Sequence, residues 1–270
     1  MLFAMAFKVY STLSGRRFMT DLRAAHARGY ISALPCYNTI FNYFESEELT
    51  PHLLMLIEES SLPLRSIEDS FAVDSSGHSS YRFSQWAHAK YSDPHLIDKR
   101  DWLKIHIICG TKTNIVTAIE VTNRHANDAP FFKPLVDATA QNFAMFEVSA
   151  DKAYLSNDNL QAVANHHATP YIPFKANTTA EGKRNGDLFR RMYHYFSYRS
   201  DEFMARYHKR SNVESTFHMI KAKFGDSLRS KTERAQINEA LCKILCHNIC
   251  CVIQSMYELG LKPKFWSEAA

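Results

Sequence analysis

The chain has 270 residues, 46% apolar and 22% charged, enough for one full hydrophobic core and a small accessory unit in a soluble globular protein. Lys8 interrupts the apolar start and no small-residue cleavage site follows, which argues against a signal peptide, and no run approaches the roughly 18 to 20 apolar residues of a membrane span. The net charge of +4 selects no partner, and six cysteines without a closely spaced four-ligand pattern fit a reducing compartment, so the expected location is the cytoplasm.

Between Leu34 and Ser61, the residues Tyr37, Ile40, Phe41 and Phe44 fall at helical spacing. Thr50-Pro51 then reads as an N-cap with proline at the first helical position, and Leu53, Leu56 and Ile57 form the second helix's buried face. Such a pair is either a helix-turn-helix that touches DNA or a hairpin that only packs. Residues 1–66 are expected to be a small helical region.

The period changes at Ser70, where Phe71-Ala72-Val73 runs into Asp74 as a strand. Two β-branched stretches, Trp102 to Cys109 and Asn114 to Val121, make a hairpin around Gly110-Thr111-Lys112-Thr113. Asp128 to Phe143 reads as a helix with Phe132, Leu135, Val136 and Thr139 on one face. A strand from Phe146 to Ala150 ends at Asp151, a helix runs from Asn157 to His167, and a short strand spans Tyr171 to Phe174. The order is that of an α/β protein, a mixed sheet with helices on it. Residues 175–205, with Phe189, Met192, Tyr193 and Phe196 at helical spacing, are an excursion from the sheet, and Arg206 to Leu259 reads as two helices broken near Gly225. The main domain is therefore expected over 67–262.

The chemistry lies in the carboxylates. Asp74 and Asp151 each end a candidate central strand, where ligands of open α/β sheets gather, although a strand-terminal Asp is also a common turn or cap residue. On a helix starting at Tyr207, Arg210, Glu214 and Lys221 stand within about 60° of it, while Val213, Phe217, Ile220 and Phe224 form the adjoining apolar face. Glu214 would then border core and cleft. Three carboxylates make a hard oxygen site suited to two Mg²⁺ or Mn²⁺ ions, with Arg210, Lys221 and Tyr207 able to hold DNA phosphates; the plainer alternative is a surface helix with an Arg-Glu pair. From Arg206 to Arg234, eight basic residues including Lys209 and Lys223 outnumber three acids, a stripe that is either a phosphate contact or a solvated face.

The spacing Tyr207, Arg210, Glu214, Lys221 resembles the signature of IS4-type DDE transposases, in the IS4/IS5 group with an RNase H-like catalytic domain. Asp151-Lys152-Ala153-Tyr154 and Phe71-Ala72-Val73-Asp74-Ser75-Ser76-Gly77 are similar to the group's two aspartate segments. The resemblance spans about Ser70 to Leu259. It implies metal-dependent cleavage at transposon ends, then strand transfer by the freed 3′-hydroxyl without a covalent protein-DNA intermediate. Asp74, Asp151 and Glu214 would be catalytic metal ligands, and Tyr207, Arg210 and Lys221, with Lys209 and Lys223, would contact DNA. The partners implied are double-stranded DNA, as terminal inverted repeats and target, and a second copy in a homodimer; no membrane is implied. The 62 residues between Asp151 and Glu214 leave no room for the large β-rich insertion of some IS4-type members, and the short stretch before Asp74 implies a truncated or diverged copy. A remnant that only binds DNA and a hydrolytic nuclease of the same fold share the same acids.

Other chemistry-bearing residues have plainer readings. Cys242, Cys246 and Cys250 are expected to pack as thiols on the last helix, and His166-His167 to cap a helix or face solvent. Lys175, Trp86 and the stretch from His88 to Arg100 are candidate DNA or loop residues beside the cleft.

Overall fold

The computed structural model describes residues 1–80, 102–182 and 185–263; Trp86 and the stretch from His88 to Arg100 lie outside them. Five strands, β1 (Ser70–Ser79), β2 (Trp102–Gly110), β3 (Val116–Asn123), β4 (Glu147–Ala150) and β5 (Thr169–Tyr171), form one sheet in the order β3-β2-β1-β4-β5. β1 pairs antiparallel with β2 and parallel with β4, which pairs parallel with β5. The protein is α/β with an RNase H-like mixed sheet flanked by helices, as the resemblance implies.

The central strand is buried on both sides, so it needs an uninterrupted apolar start rather than alternation. Phe71 and Val73 enter one apolar cluster with α5 (Ala129–Ala140), α6 (Asn157–Asn165), α7 (Asp187–Tyr198) and α8 (Ser200–Tyr207). Ala72 faces the other, with Leu103, Ile105 and Ile107 of β2. On that second side lie α1 (Leu2–Ser11), α2 (Gly15–Ala27), α3 (Tyr37–Phe44), α4 (Leu49–Ser61), α9 (Ser211–Phe224) and α10 (Glu233–Leu259). The helices before Ile67 thus share their core with the sheet.

Several boundaries depart from expectation. β1 continues past Asp74 because β2 offers a partner along its far half, pairing Asp74 with Ile107 and Ser79 with Trp102. α4 begins at Leu49 behind Glu48, and the Thr50 hydroxyl, expected to cap, donates instead to Asn238 Oδ1 at 2.8 Å. Pro51 is tolerated because the first four helical N–H groups have no intrahelical acceptor. β5 stops at Tyr171; Pro173 has no N–H to give, and the Phe174 ring packs 5.1 Å from that of Phe189. The stretch from Arg206 is not two helices: α8 ends at Tyr207, a 3₁₀ turn covers His208–Arg210, and α9 follows, ending at Gly225 with φ 85°. His166 does more than cap α6, since its Nε2 lies 2.7 Å from Asp137 Oδ1 on α5.

α10 is the internal strut. It is long and apolar enough, by length and composition, to cross a membrane, which the sequence reading overlooked, but 67% of its most apolar window is buried inside the protein. Cys242 and Cys246 are buried thiols on it as expected, joined by Cys251, whereas Cys250 is only half-buried. Two asparagines make it more than an apolar rod. Asn238 donates to the carbonyls of Phe44 and Ser46, holding the α3–α4 turn. Asn248 accepts from the Val116 N–H at 3.0 Å and donates to the Val116 carbonyl at 2.8 Å, and it also reaches the Ile57 carbonyl and Ser60 Oγ. It therefore acts as an extra strand residue at the edge of β3 while tying in α4. Asn248→Ala is expected to lower stability by about 2 to 4 kcal/mol, because it strands the buried Val116 N–H and opens a void. Urea unfolding of the two proteins measures this, and a loss under about 0.5 kcal/mol would show the clamp to be dispensable.

Candidate active site

Parallel pairing of β1 with β4 ends at Val73 opposite Ala150, so the next residue on each strand is an aspartate. Asp74 and Asp151 consequently emerge side by side, at the point where the parallel pair ends and β1 continues with β2 alone. α9 crosses this side of the sheet with Val213, Phe217, Ile220 and Phe224 buried, which leaves Glu214 on the exposed flank.

The three acids meet at one cation, the Arg210 guanidinium. Its Nη1 donates to Glu214 Oε1 at 2.6 Å, and Nη2 lies 3.5 Å from Asp151 Oδ2 and 3.6 Å from Asp74 Oδ2. The Arg210 side chain is only 14% exposed, and its buried Nε has no acceptor. Asp74 also accepts from the Ser75 N–H at 2.9 Å. Burial raises the Asp74 carboxyl above its usual range, the Ser75 bond and Arg210 oppose this, and the charges of Asp151 and Glu214 add to it. Tyr207 keeps its place beside Arg210 although the helix is not continuous, because side chains three residues apart eclipse in a 3₁₀ turn. Burial, offset by Arg210, raises its phenol, which also feels all three acids.

The other basic residues divide. Lys221 Nζ donates to Ser76 Oγ at 2.7 Å, two residues beyond Asp74 on the same face of β1. Lys209 and Lys223 are not with them. Lys209 and Arg206 both pair with the buried Glu147 carboxylate. Lys223 donates to Cys250 Sγ and stands 4.6 Å from the Tyr10 ring centre. Arg229 donates to the Thr12 carbonyl and Arg234 to Glu47. Most members of the basic stripe read from Arg206 to Arg234 thus have partners within the protein, in different directions because of the turn and the two helices, while Arg206, Lys223, Arg229 and Lys231 remain exposed. Lys175 is exposed.

Sequence reasoning missed the layer behind Asp74. Ser75 Oγ donates to Asp128 Oδ1 at 2.8 Å, Lys104 Nζ lies 2.6 Å from the same oxygen, and His106 Nδ1 is 3.5 Å away. Burial pushes His106 down to about 4, so it is neutral, and its Nε2 is hydrogen-bonded with Thr122 Oγ1 at 2.9 Å. Only Ser75, next to Asp74, carried a signal; the others come from β2 and the start of α5.

Carboxylate oxygens are the donors a hard divalent ion prefers, but here they are turned to Arg210, and among the described residues no group of three acid, histidine or cysteine side chains stands close enough to hold a metal ion. Residues 65–249, well over half of the chain, match the family model described as a transposase DDE domain. The chain belongs to this family of DDE transposases. Neither the curated proteins nor the solved structures yield a significant match. DDE transposases act on DNA and in general use divalent metals.

One further residue of β1 sets a condition on the transposase. His78, on the same face as Asp74 and Ser76, is fully buried, and among the described residues neither ring nitrogen has a partner. Burial pushes the imidazole down to about 3, helped by the charges of Lys243 and Lys221. The folded protein refuses a proton that the unfolded chain accepts near 6.5, so this stabilisation is complete above 6.5 and is lost as pH falls toward 3. The slope expected from one such group is about 1.4 kcal/mol per pH unit. His78→Leu should be no less stable at neutral pH and should lose that much of the slope; equal slopes for both proteins in denaturant titrations would rule out His78 as the cause.

Proposed function

We propose that Asp74, Asp151 and Glu214 are the catalytic acids of an IS4-type transposase, which cuts DNA at the ends of its element and joins the freed 3′-hydroxyl to target DNA. The observation that carries this reading is the convergence of three carboxylates on Arg210 within a transposase DDE domain. The IS4 assignment draws on the spacing of Tyr207, Arg210, Glu214 and Lys221.

The three carboxylates would hold two Mg²⁺ or Mn²⁺ ions, which, when bound, supply charge stabilisation and activation for an in-line phosphoryl displacement. The chain's own residues do the rest. Asp74 is kept in position by the Ser75 N–H and, through the Ser75 hydroxyl, by Asp128. Arg210 balances the acids and, released from them, has a planar fork matched to a phosphate. Lys221, held beside Asp74 by Ser76, offers a point charge to the neighbouring phosphate. Tyr207 donates from its neutral hydroxyl to the backbone or stacks on a base. Two protomers would hold the two ends of one element, and the work would be done in the cytoplasm, on the nucleoid.

The direct test incubates the protein with DNA carrying the element's flanking ends in Mg²⁺ or Mn²⁺, for wild type and Glu214→Gln. Cleavage leaving a 3′-hydroxyl is expected from wild type, with a loss of at least about 1000-fold in the variant, since a ligand carboxylate is removed while shape is kept. Strand transfer then separates a transposase from a nuclease. Wild-type protein that binds those ends but never cuts them would replace this reading with that of a DNA-binding remnant.

A further inference from the structure

A cavity of about 360 Å³ lies between α1, the start of α2, α3, the end of α9 and the first turns of α10, and none of the three acids lines it. Its walls are mostly apolar, with Val9, Leu13, Phe41, Phe44, Phe224 and Ala235 around it, so the body it accommodates is apolar. The charge it contains separates it from a packing defect, because cavities that stay empty in proteins are lined by apolar groups. Lys8, Lys243 and Glu239 all line it, and they are only 8%, 2% and 7% exposed. Lysine is almost never buried so deeply unless it is paired.

These buried charges are met unequally. The Glu239 carboxylate accepts from the backbone N–H groups of Arg229 and Ser230 at 2.8 to 3.0 Å. Lys243 donates to the carbonyls of Gly225 and Ser227 at 3.0 and 2.9 Å, which uses two of its three protons. Lys8 Nζ donates at 2.6 Å to the Leu13 carbonyl, its one hydrogen-bond acceptor among the described residues, and two of its protons are unused. The Phe18 ring, centred 6.0 Å away, gives Lys8 a π-face but no lone pair. Burial lowers Lys8 from its usual range, the charge of Arg229 lowers it further and Glu239 opposes this. Burial likewise pushes Lys243 down to about 8, where it is still charged at neutral pH.

Two lysines against one glutamate leave one positive charge in excess inside the cavity. At its exposed margin Arg229 and Lys231 outnumber Glu45. The occupant that balances this is a small anion, since a polynucleotide backbone cannot reach ammonium groups that are less than a tenth exposed. A carboxylate matches the single excess charge and brings the acceptor oxygens that the lysines lack, whereas a doubly charged phosphate would overshoot it.

We propose that this cavity is a binding site for a small carboxylic acid with an apolar body, its carboxylate taking the unused protons of Lys8 and Lys243 and its body lying against Phe41, Phe44 and Phe224. The test uses the full chain and isothermal titration calorimetry with two probes of equal shape, 2-naphthoate and its neutral amide, 2-naphthamide. Wild type should bind the acid at least about 10-fold more tightly than the amide, because only the acid makes charge-assisted hydrogen bonds to the lysines. Lys8→Met keeps the side chain's length and removes the charge, so it should abolish this preference while leaving amide binding in place. Lys231→Glu, an exposed change at the margin, should weaken the acid about 3-fold and leave the amide unaffected. Arg190→Gln, on α7 and away from the cavity, should resemble wild type. Equal binding of acid and amide by wild type would assign both probes to apolar surface and overturn the proposal without recourse to any variant. No binding of the acid at millimolar concentration, or a preference that persists in Lys8→Met, would overturn it as well.

Discussion

The parallel register between β1 and β4 is the constraint on which the site depends. Because Val73 stands opposite Ala150, the aspartates that follow are neighbours, and a slip of one residue would turn one of them to the opposite face. That register is held from both sides of the sheet, by Phe71, Val73 and Val148 packing under α5 and α6 and by Ala72 under the α9–α10 layer. Buried apolar surface thus fixes the position of two charges that repel each other.

Repulsion is answered locally by Arg210. One short bond, to Glu214 four residues on in α9, and two longer approaches, to Asp151 and Asp74, satisfy the acids unequally and, among the described residues, leave Nε without a partner. A guanidinium held this way is bound tightly only to the carboxylate that moves with it. The family in general uses divalent metals, and the oxygens turned to Arg210 are of the hard kind such ions prefer.

The N-terminal helices belong to the same physical object. α10 carries two asparagines whose amides close the α3–α4 turn and the start of β3, so α1 to α4 are bonded to the sheet's edge as well as packed on it.

Much of the fold was legible along the chain. The apolar starts of β1 and β4, the β2–β3 hairpin and the buried faces of α5 and α9 follow from local periodicity, and each recurs in the structure. The three acids were legible because two come directly after the apolar runs of β1 and β4 and one borders a helical apolar face. What only the tertiary structure decided was the fate of polar side chains whose partners are distant in sequence. Thr50 reads as a cap along the chain, but its hydroxyl goes to Asn238, and Lys209 and Lys223, read as phosphate ligands, have Glu147 and Cys250 as partners within the chain. Periodicity determines which face of an element is buried, because burial is a property of the element itself. The availability of a charge is a property of what folds against it, and that is settled only when the chain is packed.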